Sequence, residues 1–217
     1  MDDVREALDG EIRRLLDRHD EPVLLEMERL GDERRFPIVG RTVGVVLEIL
    51  ARGIGARRVF ELGSGFGYSA YWFSRAVGPS GELHLTDMDP ENERLGTDFL
   101  TRAGLAGPVA YHVGDALESF AAAAGGEFDI VFCDIDKQDY PRAWRAARER
   151  IRPGGLYIAD NALGFGAGTI VSQGVEGRAA EMLRAIRAHD EEIAADPGFV
   201  STILPIRDGV LVAHRLR

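Results

Sequence analysis

Two acidic residues and an amide lie directly after two predicted strands and form a set of hard oxygen ligands. Asp134 follows the apolar run 130–133, and Asp160 and Asn161 follow the run 155–159. Strands joined by one crossover helix usually lie side by side, so we expect these side chains to meet at one rim of a sheet. Two carboxylates there repel each other unless a cation lies between them, and this ligand set suits Mg²⁺ or Mn²⁺. Each residue alone could instead cap a helix or form a turn.

Lys137 lies three residues beyond Asp134 on the same predicted loop and is the one lysine among 26 basic residues. A lysine, unlike an arginine, can give up its proton near neutral pH if its site is arranged for it. Lys137 could take a proton from a metal-bound hydroxyl, or it could simply neutralise the acidic rim. His84, His112 and His189 are weaker candidates, because no pair of them has the spacing of metal ligands.

A glycine-rich stretch connects the first predicted strand to the next helix. Residues 59–69 read VFELGSGFGYS, and glycines fit where the backbone takes positive φ or touches a ligand. In open α/β sheets a nucleotide-like cofactor binds at this position. The spacing is GxGxG and not the GxGxxG of dinucleotide sites, and Glu61 can accept hydrogen bonds near a cationic methionine group. Both features favour S-adenosylmethionine, although a glycine-rich turn without a ligand would have the same pattern.

Two further aspartates end the strands that follow. Asp87 lies 24 positions beyond Gly63, close to where a nucleotide-binding sheet carries an acid for the ribose hydroxyls. Asp115 follows the third strand and could accept from an adenine amino group, cap the following helix, or do both. Asp89, which precedes Pro90, is typical of a helix cap.

Strand and helix patterns alternate from residue 57 onward, which is typical of βαβ units and a parallel sheet. The last two apolar runs flank Asp208-Gly209 and predict an antiparallel hairpin. Before residue 57 the pattern predicts helices near 4–18, 23–30 and 42–50, and the segment Phe36 to Gly40 either folds over a cofactor or only connects two helices. Strands are predicted near 58–62, 82–87, 109–113, 127–133, 155–159, 199–205 and 210–214, and helices near 67–77, 90–103, 115–123, 140–151 and 176–194.

Composition narrows the range of functions. The chain of 217 residues carries a formal net charge of -10, which argues against a broad nucleic-acid surface, because phosphate binding relies on clustered Lys and Arg. No apolar stretch approaches the roughly 18 residues of a membrane span, and the acidic N-terminus lacks a signal-peptide core. We therefore expect a cytoplasmic protein with a small-molecule partner. The single cysteine, Cys133, excludes a disulfide within the chain and is expected to be a buried, inert thiol.

The chain resembles the cation-dependent S-adenosylmethionine O-methyltransferases, a family that includes catechol and caffeoyl-CoA O-methyltransferases. The similarity covers nearly the whole chain from about residue 36. Its most specific parts are residues 60–69, 128–134 with Lys137, 152–155 with Asp160 and Asn161, and 204–209. It implies a Rossmann-like class I methyltransferase fold with a seven-stranded, mostly parallel sheet, an antiparallel C-terminal hairpin and helices on both faces. We expect one domain over 1–217, with a helical cap at 1–56 and a sheet core at 57–217, and commonly a homodimer.

The same resemblance implies the roles of individual residues. Asp134, Asp160 and Asn161 would bind the metal, Lys137 would be the base, and the acceptor would be a hydroxyl of a small catechol-like or vicinal-oxygen molecule. Cofactor contacts are expected at Val39, Gly40, Glu61, Gly63, Ser64, Gly65, Gly67, Ser69, Asp87, Met88, Asp115, Ala116 and Asp134.

Departures from the family pattern leave the acceptor open. After Asn161 the family often has an aromatic loop, whereas residues 162–168 read ALGFGAG, which is either a lid or a linker. The nearest counterpart of a metal-side asparagine on the last helix is Asp190.

Three competing functions stay open, and the first of them is suggested by the family resemblance. A tRNA hydroxyuridine methyltransferase would need a basic stripe formed by Arg34, Arg35, Arg41, Arg57 and Arg58. A non-catalytic cofactor-binding module would need neither metal ligands nor a lysine base. A nicotinamide oxidoreductase is disfavoured by the glycine spacing.

Overall fold

The computed structural model describes residues 10–16, 20–105, 107, 109–165 and 168–216. Residues 10–16 are helical (α1), and the rest of the helix predicted near 4–18 lies outside the described residues. The other helices are α2 (Pro22–Arg34), α3 (Gly40–Gly53), α4 (Tyr68–Val77), α5 (Pro90–Arg102), α6 (Ala116–Ala122), α7 (Tyr140–Ala147) and α8 (Gly177–Ala194), with short 3-10 helices at Lys137–Asp139 and Arg148–Arg150. The strands are β1 (Arg58–Leu62), β2 (Glu82–Asp87), β3 (Val109–Val113), β4 (Phe128–Cys133), β5 (Ile151–Ala159), β6 (Gly164–Phe165), β7 (Gly168–Thr169), β8 (Phe199–Leu204) and β9 (Val210–Arg215).

Seven strands form one sheet in the order β3-β2-β1-β4-β5-β9-β8. The first five are parallel, and β9 runs antiparallel to both β5 and β8. The predicted Rossmann-like fold with a closing antiparallel hairpin is therefore confirmed. Strand order reverses on either side of β1, between β2 and β4, and a crevice forms at the carboxyl ends of the strands at such a switch point.

The central strands are apolar on both faces because helices cover both. In β4, Ile130 and Phe132 pack into one core cluster, and Val131 and Cys133 pack into the other, as the alternation of side chains along a strand requires. Helices α2 to α5 contribute to the first cluster, and α6, α7 and α8 contribute to the second. Because β3, β2, β1, β4 and β5 run in the same direction, their carboxyl ends lie along the same rim of the sheet.

The start of β5 differs from the prediction. Helix α7 ends at Ala147 rather than near residue 151, and β5 already pairs with β4 at Ile151, before Pro153. The register shifts between Phe128 and Ile130, and Gly154 has φ +77, so an irregularity in the ladder accommodates the proline and the glycines. The pair of two-residue strands β6 and β7 was also not predicted; it lies within the glycine-rich segment after Asn161.

The helices before β1 pack on the same core as the sheet. Leu24 of α2 and Val43 of α3 belong to the cluster that contains Val59 of β1 and Ile130 of β4, and Gly44 of α3 lies against the indole of Trp72 on α4. Within the part of the chain that the structure describes, no helix is both long enough and apolar enough to cross a membrane.

Candidate active site

The glycine-rich turn lies between the end of β1 and the start of α4. Gly63, Gly65 and Gly67 have φ of +82, +51 and +85, a region that favours glycine. Close contacts require glycine as well, because a Cβ on Gly65 would lie 2.6 Å from the ring of Phe36. The Gly63 amide donates to Thr86 Oγ1 at 2.9 Å, so β2 holds the turn in place.

A cavity of about 600 Å³ opens at this rim, where β1, β4 and β5 end. The glycine turn, the segment Phe36 to Val39 and the hairpin residues Arg207 and Asp208 form part of its wall. A second cavity of about 310 Å³ adjoins it. Gly63, Asp87 and Asp134 line both cavities, so the two form one crevice along the carboxyl ends of the strands.

Most of the residues predicted to contact the cofactor face this crevice. The larger cavity is lined by Val39, Gly63, Ser64, Gly65, Ser69, Asp87 and Asp134. The smaller cavity is lined by Met88, Asp115 and Ala116. Three predicted residues are not among the described residues that line either cavity: Gly40 and Gly67 lie at the N-termini of α3 and α4, and Glu61 lies behind Ser69.

Glu61 is a fully buried acid near the end of β1. Its Oε2 accepts a hydrogen bond from Ser69 Oγ at 3.2 Å, whereas Oε1 has no partner among the described residues. Burial raises the pKa of Glu61 to about 8, and the charge of Asp134 acts in the same direction. A buried carboxylate in this setting favours a cationic ligand.

Asp87 and Asp115 differ in how they are held. Asp87 Oδ1 accepts from the Asp89 amide at 2.8 Å and from Asn92 Nδ2 at 3.0 Å, which orients the carboxylate at the end of β2. Asp115 Oδ1 accepts from the Glu118 amide at 2.8 Å and so caps α6, while the residue also lines the smaller cavity. The predicted cap at Asp89 is confirmed by its bond from the amide of the second residue of α5.

Asp134, Asp160 and Asn161 all line the larger cavity. Asp160 is only 6% exposed, and its Oδ1 has no hydrogen-bond partner among the described residues. Burial, and then the charge of Asp134, raise the pKa of Asp160 above its ordinary value. Asn161 has φ +56, and the two residues that follow it donate to the backbone of Asp208 and Gly209, which holds this turn against the hairpin.

A divalent cation fits this donor set. It would supply the charge that the unpartnered, buried oxygen of Asp160 and the neighbouring Asp134 require. Across the described ranges no three His, Cys, Asp or Glu side chains are grouped closely enough to hold a metal ion. A metal ion at this rim would therefore need the amide of Asn161 as a third ligand.

Lys137 is 7% exposed and lines the larger cavity. Its Nζ lies 2.7 Å from Asp134 Oδ1 and 2.7 Å from Tyr140 Oη. Tyr140 Oη in turn donates to the backbone carbonyl of Asp160 at 2.9 Å. Sequence reasoning missed Tyr140, although an aromatic residue with a polar end, three positions after a candidate base, was an available signal.

Arg207 is a second residue that sequence reasoning missed. It lines the larger cavity, has φ +47 in the turn between β8 and β9, and donates to the carbonyl of Ile38 at 3.1 Å. Its guanidinium lies against Gly40, where a Cβ would overlap it. The segment Phe36 to Gly40 is thus held at the cavity and does more than connect two helices.

The remaining polar residues singled out in the sequence lie away from the crevice. Asp190 pairs with His189 Nδ1 at 2.8 Å on α8 and is not among the described residues that line the two cavities. His84 and His112 pair with each other at 3.1 Å. Two members of the possible basic stripe are used within the fold, because Arg41 is buried against Glu28 and Arg58 pairs with Glu82.

Comparison with known proteins identifies the family. The O-methyltransferase family profile matches residues 19–216. Catechol O-methyltransferase of Mycobacterium tuberculosis is 31% identical over 186 residues, which cover 85% of this chain and 84% of that protein. Catechol O-methyltransferase of Niastella koreensis is 32% identical over 164 residues, which cover 74% of each chain. The crystal structure of an O-methyltransferase from Bacillus cereus in complex with SAH matches with a TM-score of 0.82 and 26% identity, covering 94% of this chain and 97% of that one.

The fold, the crevice and these matches together define the class. The chain belongs to the O-methyltransferase family. It is an enzyme, an S-adenosylmethionine-dependent O-methyltransferase.

Proposed function

We propose that this enzyme transfers the methyl group of S-adenosylmethionine to one hydroxyl of a small acceptor with two vicinal oxygens, such as a catechol, with the help of Mg²⁺ or Mn²⁺. The observation that carries the proposal is that Lys137, Asp134, Asp160 and Asn161 line the same cavity as the glycine turn. Methyl donor, oxygen ligands and a candidate base would then meet in one space. The two relatives named catechol O-methyltransferase support this acceptor class.

The cofactor would lie along the crevice. The methionine end would occupy the larger cavity beside Ser64 and Ser69, on the side of Glu61, where its ammonium would favour the charged form of that buried acid. The ribose hydroxyls would be held by Asp87, whose carboxylate is already oriented. The adenine would enter the smaller cavity beside Asp115. This placement follows the position of ligands in open α/β sheets.

Asp134, Asp160 and Asn161 would hold the divalent ion, and the hard oxygen set favours Mg²⁺ or Mn²⁺ over softer metals. When bound, such an ion supplies Lewis acidity that lowers the pKa of a coordinated hydroxyl. The protein would position the ion through three side chains that follow the ends of two adjacent strands, β4 and β5. The turn between β8 and β9 holds the loop that carries Asn161 in place. An acceptor with neighbouring oxygens would be oriented by both of them at once.

Lys137 would take the acceptor's proton on Nζ. In the proposed reaction the acceptor oxygen forms a bond to the methyl carbon, the carbon–sulfur bond breaks, and its electron pair stays on sulfur. The proton moves from the acceptor hydroxyl to the lone pair of Nζ, which enters this proposed step as a neutral amine and leaves it as an ammonium, so charge and atoms balance without a covalent enzyme intermediate. The wall formed by the segment Phe36 to Val39 and by Arg207 would limit access of water to this space.

Competing functions have less support. Methylation of tRNA would need an exposed basic stripe, and Arg41 and Arg58 are engaged within the fold. A net charge of -10 also opposes binding of a polyanion. A pure cofactor-binding module would have no use for a buried lysine beside two acids. The predicted homodimer and cytoplasmic location stay predictions.

The test combines binding with turnover. Calorimetric titration with S-adenosylmethionine is expected to show binding, and labelled methyl is expected to pass to catechols in the presence of Mg²⁺ and not in the presence of chelator. Equal transfer with and without chelator would contradict the metal role. Cofactor binding without transfer to any vicinal diol would contradict the acceptor class.

A further inference from the structure

We propose that Tyr140 is a positioning residue whose hydroxyl holds the Nζ atom of Lys137 in a fixed direction relative to the candidate metal ligands. This inference rests on the proposed function, in which Lys137 is the base. It is carried by two hydrogen bonds, from Lys137 Nζ to Tyr140 Oη at 2.7 Å and from Tyr140 Oη to the carbonyl of Asp160 at 2.9 Å.

The direction of these bonds follows from what each group can donate. A backbone carbonyl only accepts, so the single hydroxyl proton of Tyr140 points toward a carbonyl, and the carbonyl of Asp160 at 2.9 Å is nearer than that of Cys133 at 3.5 Å. Tyr140 Oη must then act as an acceptor toward Lys137. The hydroxyl therefore links the loop after β4, which carries Lys137, to the end of β5, which carries Asp160 and Asn161.

Tyr140 cannot easily move to another position. Its side chain is fully buried at the start of α7, and its ring packs against His189 of α8 at 5.1 Å between ring centroids. Lysine by contrast has a flexible four-carbon stem. The hydrogen bond between them therefore restricts the flexible Lys137 side chain, because the Tyr140 hydroxyl that accepts it is already held in place.

The two partners of Lys137 leave one direction at its nitrogen. The nitrogen is tetrahedral and is bonded to Cε; Tyr140 Oη and Asp134 Oδ1 occupy two further directions. The fourth direction is the one available to an acceptor in the cavity that Lys137 lines. Without the tyrosine hydroxyl the nitrogen could rotate about Asp134, and a proton acceptor that is misplaced by a fraction of an ångström slows a reaction considerably.

The kinetic experiment compares Tyr140→Phe with Tyr157→Phe. Tyr157 is a matched control, because it is equally buried and its hydroxyl pairs with His189 Nε2 at 3.1 Å. With catechol and Mg²⁺, we expect Y140F to lower kcat about tenfold to 100-fold, with the cofactor Kd and the acceptor KM changed less than about twofold. Y157F is expected to leave kcat near that of the wild type.

A double-mutant cycle tests whether Tyr140 acts through Lys137. In a Lys137→Met background, Y140F is expected to cause no further loss of kcat. A further loss of tenfold would show that Tyr140 acts by another route, and an unchanged kcat in the single Y140F variant would also overturn the proposal. Wild-type turnover by K137M would instead overturn the base assignment of the proposed function.

A second measurement does not depend on turnover. Lys137 is the one lysine of the 217-residue chain, so protein grown with lysine labelled with ¹³C at Cε gives a single lysine side-chain NMR signal. We expect restricted Cε motion in the wild type and in Y157F, and a shifted signal with faster internal motion in Y140F. Unchanged position and relaxation of that signal in Y140F would show that the tyrosine does not hold the lysine.

Discussion

The α carbon of Gly63 faces the backbone carbonyl of Asp134 so closely that a Cβ would lie 2.5 Å from that oxygen. The turn after β1 therefore packs directly on the end of β4. This contact joins the part of the crevice assigned to the cofactor to the part that holds Lys137 and the candidate metal ligands.

Gly63→Ala is expected to disrupt both parts. The alanine would be strained at φ +82, and its Cβ would force the two backbone segments apart. Gly55→Ala is a control for the strain alone, because Gly55 has φ +62 with open space around it. We expect G55A to lose about 1 kcal/mol of stability and to keep normal cofactor affinity, whereas G63A should lose cofactor affinity at least about tenfold. Calorimetry and thermal unfolding would measure both, and equal behaviour of the two variants would contradict this explanation.

Glu61 is expected to release a proton when the cofactor binds. Its pKa in the free protein is raised from 4.5 to about 8, so at pH 7 most of the free protein carries a neutral Glu61. A cationic ammonium beside it favours the charged form, so binding lowers the pKa. Titrations at pH 7 in buffers with different ionisation enthalpies should reveal this release, and Glu61→Gln should abolish it and weaken binding.

The raised pKa of Glu61 also predicts how the stability of the protein depends on pH. A raised pKa means that ionisation of Glu61 opposes folding: its stabilising contribution is complete below about pH 4.5 and is lost as pH rises through about 8. E61Q, which stays neutral, should therefore gain stability relative to the wild type in this range. A constant difference in free energy of unfolding between the two proteins from pH 5 to pH 8 would contradict this expectation.

Two substitutions of Lys137 separate the two roles considered for it. Lys137→Met removes both the base and the charge, whereas Lys137→Arg keeps the charge but cannot give up its proton. If Lys137 is the base, both variants should lose at least about 100-fold in kcat and retain cofactor affinity. If it only neutralises the acidic rim, K137R should keep most of the turnover. Steady-state kinetics with catechol and calorimetry with S-adenosylmethionine decide between these outcomes.

Mg²⁺ is expected to stabilise the protein without any substrate. A cation at the rim would relieve the repulsion between Asp134 and Asp160, and any ligand that binds only the native state raises Tm. Asp160→Asn should remove most of the shift that Mg²⁺ causes. Asp98→Asn, at an exposed pair with Arg102 on α5, is a control that should retain the full shift. Equal Tm shifts in D160N and the wild type would show that Mg²⁺ binding does not need the charge of Asp160.

Asp129 is expected to stabilise the opposite end of the sheet. Its Oδ2 accepts from the amides of Arg57 and Arg58 at 2.7 Å each, and Oδ1 pairs with Arg152. Burial alone would raise its pKa, but these hydrogen bonds outweigh burial, and the pKa of Asp129 is lowered. Asp129→Asn should cost about 2 kcal/mol at neutral pH.

The sign of the pH effect at Asp129 is opposite to that at Glu61. Because the pKa of Asp129 is lowered in the native state, its contribution to stability is present above about pH 3.8. That contribution is lost as the pH falls through the pKa of the native state. Urea unfolding at pH 7 and at pH 3 should therefore show a smaller difference between D129N and the wild type at the lower pH. A difference that does not shrink would contradict the charge-dependent part of this explanation.

The fold could be predicted largely from local signals. Apolar runs with glycine-rich ends define β1, β2 and β4, and the caps Asp89 and Asp115 lie at the helix starts where their residue types predict them. The placement of Asp134 beside Asp160 followed from the rule that parallel strands joined by one crossover lie side by side, and Cys133 does pair with Ala159. The start of β5 was not predictable, because its irregular ladder depends on contacts with β4.

By itself, the sequence determined which chemical groups reach the rim, since strand ends, glycine positions and the identities of Asp134, Lys137 and Asp160 are local properties. Only the tertiary structure decided how Lys137 is held and what closes the cavity. The hydroxyl of Tyr140 is in place to accept a hydrogen bond from Lys137 because the ring of Tyr140, on α7, packs against His189 of α8. Arg207 donates a hydrogen bond to the carbonyl of Ile38, which lies 169 positions away in the chain. Hydrogen-bond directions of this kind depend on packing between elements distant in sequence, and no local pattern encodes them.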